Sequence, residues 1–179
     1  MAKAVSRIGG VSEAGEDEVL QDIFSHILAK RGFILNIHQV VAHSPKMLRA
    51  QAKYAASLRE ESSLPRDLQE LVIMRVAQVN ESDYEQSVHD PIAISCGVTR
   101  AQLDSLSNWE NAAVYSDKWR AALAFADQAG ATGEVEEAVF SDLKRHFSNQ
   151  EVTELAALVA WYVGNSRFVR AMQIVSQDR

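Results

Sequence analysis

One stretch of the chain, residues 68–79, constrains the fold more than any other. Eight of its twelve positions are apolar, and on a helical wheel they point in every direction, so a helix here has to be buried on most sides. Glu70 lies inside this apolar surround. Three apolar residues share its face at the i+3, i+4 and i+7 spacing of one helical stripe: Ile73, Met74 and Ala77. Because a buried carboxylate is costly unless it is paired, hydrogen-bonded or protonated, Glu70 is expected to have a partner.

The more polar stretch that follows, residues 82–89, is the predicted partner of this helix. Ser82, Glu85 and His89 lie at i, i+3 and i+7, so all three face one way. Glu85 and His89 are one turn apart and can touch. If the two helices fold back on each other as a hairpin, Glu70 meets Glu85 and His89 in a mostly apolar setting. The sequence therefore predicts a site with Glu70, Glu85 and His89 as its catalytic residues.

Helical periodicity extends from Glu18 through almost the whole chain, including a helix expected over residues 134–147. Gly32 is a helix stop, and Ser44-Pro45 is a helix start. Capping boxes at Thr99-x-x-Gln102 and Ser148-x-x-Glu151 mark two further starts. No β-alternation and no Asn-Gly or Asp-Gly hairpin turn is found. We therefore expect an all-α protein, with a flexible N-terminal arm over residues 1–17 and one compact helical domain over residues 18–179.

A weak internal repeat accompanies this pattern. Glu70-Leu71 with Val79 recurs as Glu154-Leu155 with Val163, a constant offset of 84 residues. This is compatible with a doubled helical unit.

Composition excludes several classes of protein. A net charge of −6 and a pI of about 5.4 argue against a nucleic-acid surface. The longest apolar run, residues 155–163, is about half of what spans a bilayer, so no membrane partner is expected. The lone Cys96 allows neither an intrachain disulfide nor a redox Cys-x-x-Cys motif, which fits a cytoplasmic location.

The spacing of Glu70, positions 82 and 85, and His89 resembles the signature of the carboxymuconolactone decarboxylase and alkylhydroperoxidase-D-like superfamily. That signature is a glutamate, twelve residues later Cys-x-x-Cys, and then a histidine. Further similar segments, over roughly residues 20–173, are residues 42–45, 66–71, 93–99 and 161–168. The resemblance implies an all-helical fold and a homo-oligomer, such as a trimer, a hexamer or a dimer.

This chain departs from the peroxidase pattern at the two cysteines. Ser82 and Glu85 stand in their places, and peroxide reduction needs one thiolate to attack oxygen and a second thiol to resolve the sulfenic acid. A peroxiredoxin-type antioxidant function is therefore disfavoured. A Tyr-Glu pair before the histidine is more similar to the decarboxylase-type branch.

Each candidate residue also has a plainer interpretation. Glu70 can be a structural carboxylate paired with Arg75, and Glu85 with His89 an ordinary solvated helix pair. Ser82 is a helix N-cap in a capping box with Glu85. Glu85-x-x-x-His89 could supply two metal ligands, but a third and fourth would have to come from elsewhere, so no metal and no cofactor is expected.

The resemblance and the residues together favour a cofactor-free acid/base lyase acting on a small organic acid or lactone. His89 is the candidate proton donor, because imidazole is the side chain that ordinarily titrates nearest neutrality. Glu70 and Glu85 would set its tautomer and push each other's pKa apart. Ser82 and Arg167 are candidate substrate-binding residues, Arg167 by bidentate contact with a carboxylate. A catalytically silent oligomeric binding protein is the alternative outside enzymes.

The predicted oligomer also has a physical basis. We expect the chain's remaining helices to be too few to cover the apolar hairpin alone. A second copy is therefore expected to bury part of it.

Overall fold

The computed structural model describes residues 5–177, and the secondary structure in that range is helical, with no β-strand. The elements are α1 Glu18–Arg31, α2 Asn36–Val41, α3 Pro45–Glu60, α4 Arg66–Val79, α5 Asp83–Ser95, α6 Arg100–Ser105, a 3-10 helix Leu106–Asn111, α7 Asp117–Ala131, α8 Glu137–His146 and α9 Asn149–Ala171. The all-α prediction is confirmed.

Several helix ends are built as the sequence predicts. Gly32 ends α1 with a left-handed backbone at φ 76°, a conformation that only glycine adopts without strain. Thr99 and Gln102 form the full capping box at the start of α6. Ser148 caps α9: its hydroxyl accepts the N–H of Glu151, whose carboxylate accepts the N–H of Ser148.

The start of α8 differs from the prediction by about one turn. A helix was expected from Glu134, but α8 begins at Glu137. The Thr132 hydroxyl accepts the N–H of Glu134, and the Gln128 side-chain oxygen accepts the N–H of Glu136. The backbone N–H groups of Glu134 and Glu136 are therefore hydrogen-bonded to side chains in a turn, and the helix begins after them.

The chain divides into two units, the first of which comprises residues 5–57 and 168–177 of the described range. Its core is a cluster of side chains from α1, from α2 and the residues that flank it, and from the start of α3: Leu20, Ile23, Phe24, Ile27, Ile34, Val41, Ala42 and Leu48. Of the predicted N-terminal arm, residues 1–4 lie outside the described range. Residues 5–17 contain no helix, and the N–H of Val11 donates to the carbonyl of Gln39. The flexibility of the arm stays a prediction.

The second unit, residues 58–167, is built around α4, which packs on α5 and α7. Leu71, Val72, Ile73 and Val76 are fully buried, at 0 % exposure. The prediction of a helix buried on most sides is therefore confirmed for α4, whereas Ile94 of α5 in the same hairpin is 39 % exposed. That a second copy covers part of the hairpin stays a prediction. The homo-oligomer stays a prediction that rests on the family resemblance, and sedimentation at micromolar concentration tests it.

None of the helices in the described part of the chain is both long and apolar enough to cross a membrane.

Candidate functional site

The α4–α5 hairpin positions the candidate site. Ser82 closes the turn between the helices: its N–H donates to the carbonyl of Ala77 at 2.8 Å, and its hydroxyl accepts the N–H of Glu85 at 3.4 Å. The predicted capping box is only half formed, because the Glu85 side chain turns towards His89 instead of back to Ser82. Ser82 thus acts as the N-cap that orients α5.

Glu70 and His89 form the centre of the site. Glu70 is completely buried and His89 is 5 % exposed. Nδ1 of His89 lies 2.7 Å from Oε2 of Glu70, and Nη2 of Arg66 donates to Oε1 of Glu70 at 2.6 Å. Both carboxylate oxygens therefore have a partner, which is what a buried carboxylate requires.

These contacts decide the charge of Glu70. Burial by itself would raise the pKa of Glu70, but the hydrogen bond and charge of His89 and the charges of Arg66 and Arg59 outweigh it, so the pKa is lowered. Glu70 is thus ionised at neutral pH and accepts a hydrogen from Nδ1 of His89. Nε2 is then the ring nitrogen left for chemistry.

Glu85 is the second carboxyl group of the site and is far less well satisfied. Its Oε2 lies 3.7 Å from Nε2 of His89, beyond hydrogen-bond distance. Its Oε1 is buried and has no hydrogen-bond partner among residues 5–177. Burial raises the pKa of Glu85, and the charges of His89 and Arg59 offset this only in part. Glu85 is thereby biased towards its neutral, proton-donating form.

The pKa values of the two glutamates move in opposite directions, as expected from the sequence, but for another reason. The expected cause was mutual repulsion between Glu70 and Glu85. In the structure, pairing with His89 and Arg66 lowers the pKa of Glu70, whereas burial raises that of Glu85.

Two further side chains complete the site, one from α9 and one from α3. The ring of Tyr162 meets His89 edge to face, with centroids 5.0 Å apart and an interplanar angle of 89°. Nη1 of Arg59 donates to the Tyr162 hydroxyl at 3.0 Å. Burial, with the charges of Glu70 and Glu85, raises the pKa of Tyr162 to about 12 although Arg59 opposes the shift, so Tyr162 is neutral at physiological pH.

Sequence reasoning missed the roles of Arg59, Arg66 and Tyr162. A signal existed for Arg66, which lies four residues before Glu70 on the same helix and so is placed to pair with it. Arg59 and Tyr162 are 103 residues apart in the chain, and no local pattern predicts such a contact.

The structure does not bring Arg167 into this cluster. Its side chain is exposed, and it follows Tyr162 by five residues on α9, which places it about 140° around the helix from that ring. The two arginines that contact the site are Arg59 and Arg66. The substrate-binding roles of Ser82 and Arg167, like the catalytic roles of Glu70, Glu85 and His89, stay predictions.

Cys96 lies nearer to the site than its sequence position suggests. Its Sγ is 3.9 Å from Nη2 of Arg66, the same nitrogen that binds Glu70. It remains a single thiol, because the chain has no other cysteine. In the range 5–177, no group of three His, Cys, Asp or Glu side chains is arranged to hold a metal ion.

Comparison with known proteins finds one matching family and several similar folds. The model of the carboxymuconolactone decarboxylase family matches residues 45–128, a span that includes the α4–α5 hairpin. The uncharacterized protein YnjA of Escherichia coli K12 is 29% identical over 120 residues, which are 66% of this chain and 66% of YnjA.

Solved structures share the fold over nearly the whole chain. The alkylhydroperoxidase AhpD core of an uncharacterized peroxidase-related protein from Ralstonia eutropha JMP134 has a TM-score of 0.84 at 26% identity, covering 99% of this chain and 95% of that one. The debrominase Bmp8, crystallised with 2,3,4-tribromopyrrole, has a TM-score of 0.85 at 20% identity, covering 98% and 94%. The chain therefore has the alkylhydroperoxidase-D-like fold, and its residues 45–128 are similar to the carboxymuconolactone decarboxylase family.

Proposed function

We propose that this protein is a cofactor-free acid/base enzyme that acts on a small organic acid or lactone by decarboxylation or proton transfer. The observation that carries the proposal is the pair of Glu70 and His89: an ionised, buried carboxylate holds Nδ1 of the imidazole at 2.7 Å. Such a pair fixes the tautomer and directs Nε2 at the reacting group. The similarity of residues 45–128 to the carboxymuconolactone decarboxylase family supports this class of reaction.

The charge of the site supports an acidic substrate. Arg59 and Arg66 bring two positive charges, and Glu70 brings one negative charge when Glu85 is protonated. With His89 neutral, these groups carry an excess of one positive charge, and protonation of His89 adds a second. A carboxylate substrate would balance that charge, and the field of the two arginines would favour its entry.

The proposed reaction follows from the positions of the three titratable groups. In a decarboxylation, the bond to the substrate carboxylate breaks, carbon dioxide departs, and the electron pair remains as an enolate. His89, protonated at Nε2, then delivers its proton to carbon and the carbonyl is restored. Glu85, in its protonated form, returns a proton to Nε2 once its Oε2 closes the 3.7 Å gap to that nitrogen, while Glu70 stabilises the charged imidazolium throughout.

A peroxidase function has less support. Ser82 is engaged as a helix cap and Glu85 is a carboxyl group, so neither can be the attacking or the resolving thiol. Cys96 is a lone thiol. We expect no dithiol-dependent reduction of organic hydroperoxides, and a Cys96→Ser variant should behave as the wild type. Peroxidase turnover that this substitution abolishes would contradict the acid/base proposal.

The direct test measures carbon dioxide release from a panel of small oxo acids and lactone carboxylates, together with exchange of their α-protons in deuterium oxide by NMR. We expect turnover of at least one member and a loss of about 100-fold or more in His89→Gln, since a general acid contributes that much or more. His146→Gln is the matched control, because His146 lies on α8 beside Asp142 and outside the site. If the wild type neither releases carbon dioxide nor exchanges protons, the silent binding protein becomes the better description.

A further inference from the structure

The side of the site formed by α3 and α9 has a hydrogen-bond donor without an acceptor. The Tyr162 hydroxyl accepts from Nη1 of Arg59 at 3.0 Å. A tyrosine hydroxyl has one hydrogen of its own to donate, and residues 5–177 supply no acceptor for it. Tyr162 is only 2 % exposed, so bulk water does not satisfy this hydrogen either. A buried donor of this kind is uncommon and calls for a ligand.

The electrostatics keep this donor available. Burial raises the pKa of Tyr162 to about 12, so the hydroxyl keeps its hydrogen at neutral pH. Burial would lower the pKa of Arg59, but the contact with Tyr162 and the charges of Glu70 and Glu60 outweigh it and raise the pKa, so the guanidinium keeps its charge. The result is a neutral O–H donor with a fixed positive charge directly behind it.

The free donor is a neighbour of the other unsatisfied groups. The Tyr162 ring contacts His89, and the charges of Glu70 and Glu85 act on its hydroxyl. Glu85 contributes the buried Oε1 that has no partner among residues 5–177, and Nε2 of His89 lies 3.7 Å from the other oxygen of Glu85. One small molecule beside His89 would therefore meet a hydroxyl donor, a buried carboxyl group and a ring nitrogen.

We infer that Tyr162 and Arg59 form an oxyanion-binding subsite, which takes the carbonyl oxygen of a small oxo acid or lactone and stabilises it as an enolate. The inference rests on the proposed function for the reaction, but not for the binding. When the substrate bond breaks, its electron pair moves through carbon to the carbonyl oxygen, which becomes negative. Tyr162 donates its hydrogen bond to that oxygen and is the catalytic residue. Arg59 acts through Tyr162 and is a positioning residue.

Anion binding tests the subsite without any need for the natural substrate. The probes are acetate, oxalate and 4-nitrophenolate, titrated by calorimetry and, for 4-nitrophenol, by the absorbance of its ionised form. We expect the wild type to bind at least one of them and Tyr162→Phe to bind it at least about tenfold more weakly, as for a lost hydrogen bond to a charged group. Tyr115→Phe is the matched control, because the hydroxyl of that buried tyrosine already donates to the carbonyl of Gln102.

Arg59 is tested by a graded pair of variants. Arg59→Met should weaken anion binding and raise the pH at which bound 4-nitrophenol ionises, whereas Arg59→Lys should restore part of both effects. A residue that only supports the fold would not move the ionisation of the probe. If Tyr162→Phe fails to fold, as judged by circular dichroism, the Arg59 pair decides the question.

The outcomes separate this inference from the proposed function. His146→Gln, which lies outside the site on α8, should keep the anion affinity of the wild type. Binding that depends on Tyr162 and Arg59, in a protein that turns over no substrate, supports the subsite and contradicts the acid/base proposal. Turnover that falls by less than about threefold in Tyr162→Phe, where loss of an oxyanion donor ordinarily costs 100-fold or more, overturns the inference. So does a wild type that binds none of the three anions.

Discussion

The two ends of α4 each carry an ionic cluster, and the two clusters differ in how completely they are satisfied. At the C-terminal end, the Arg75 guanidinium donates to both carboxylate oxygens of Asp127, with Nη2 of Arg75 3.0 Å from Oδ2 of Asp127. The Arg75 guanidinium also donates to the side chain of Gln78 and to the carbonyl of Leu106. The indole N–H of Trp109 donates to Asp127 at 3.0 Å. This cluster is closed, with each charge paired and hydrogen-bonded.

The N-terminal end of α4 carries the open cluster. Glu70 is well paired with Arg66 and His89. Beyond them, one buried oxygen of Glu85 lacks a hydrogen-bond partner in the range 5–177, and the Tyr162 hydroxyl lacks an acceptor there. Unsatisfied buried polar groups cost folding free energy, and such costs are typical of sites that leave room for a substrate. We therefore propose that the closed cluster stabilises the fold and that the open one is the reactive site.

The largest effect on stability is expected from the closed cluster. Asp127→Asn leaves the Arg75 guanidinium without its anionic partner in a largely buried position, so the free energy of unfolding should fall by about 2–3 kcal/mol. Urea denaturation followed by circular dichroism measures this loss. Any turnover per folded molecule should be unchanged.

The matched control is Asp90→Asn, which removes an exposed ion pair with Arg100 and should cost about 0.5 kcal/mol or less. If Asp127→Asn costs no more than that control, the closed cluster is not a stabilising element and the comparison fails.

The all-α fold and the proximity of Glu70, Glu85 and His89 can be predicted from local sequence patterns. The all-round apolar α4 predicts a buried helix, and capping boxes locate the starts of α6 and α9. The steps from Ser82 to Glu85 and His89 predict their shared face, because helical spacing is a local property. Glu70 was assigned a partner because its surround is apolar, and the structure supplies two.

The rest of the site depends on contacts between distant parts of the chain. Arg59 reaches Tyr162 across 103 residues, and helical periodicity carries no information about which face meets which. Arg167 illustrates the same limit. The sequence shows a basic residue on an apolar helix, but packing decides which side of α9 faces the site, and Arg167 is exposed. That Arg75 forms its ion pair with Asp127, and not with Glu70, likewise follows only from the three-dimensional structure.

A smaller effect of opposite sign is expected from the open cluster. Burial raises the folded-state pKa of Glu85 above its ordinary value, so above that ordinary value the folded state binds more protons than the unfolded state. Stability therefore falls as the pH rises through this window. Glu85→Gln removes the ionisable group and should raise the free energy of unfolding by about 1 kcal/mol at pH 7, while turnover falls.

The gain in Glu85→Gln should disappear below the pH at which Glu85 ionises in the unfolded chain, because both states are then protonated. Urea denaturation from pH 4 to pH 8 shows this, with the exposed Glu110→Gln as the control. A Glu85→Gln variant that is less stable than the wild type at pH 7 would mean that Glu85 has a partner and that the cluster is closed.

The smallest effect concerns Glu154, which occupies the position in the weak repeat that corresponds to Glu70. Its Oε2 accepts hydrogen bonds from the hydroxyls of Ser62 and Ser63 and from the N–H of Ser63, and its Oε1 accepts one from Gln150. Burial opposes them, but these bonds lower the pKa of Glu154 from about 4.5 to about 2. Glu70 in α4 thus pairs with an imidazole, whereas Glu154 in α9 binds the loop that carries Ser62 and Ser63.

Because the folded-state pKa of Glu154 is lowered, its contribution to stability is fully present above about pH 4.5 and is lost as the pH falls towards 2. The side chain is partly exposed and screened by solvent, so Glu154→Gln should cost no more than about 1 kcal/mol at pH 7. The difference between variant and wild type should shrink steadily when urea denaturation is repeated at pH 5, 4 and 3. A difference that is independent of pH would show that hydrogen-bond geometry, and not the charge of Glu154, holds the loop. Glu154 would then differ from Glu70, whose proposed role requires the ionised form to hold His89.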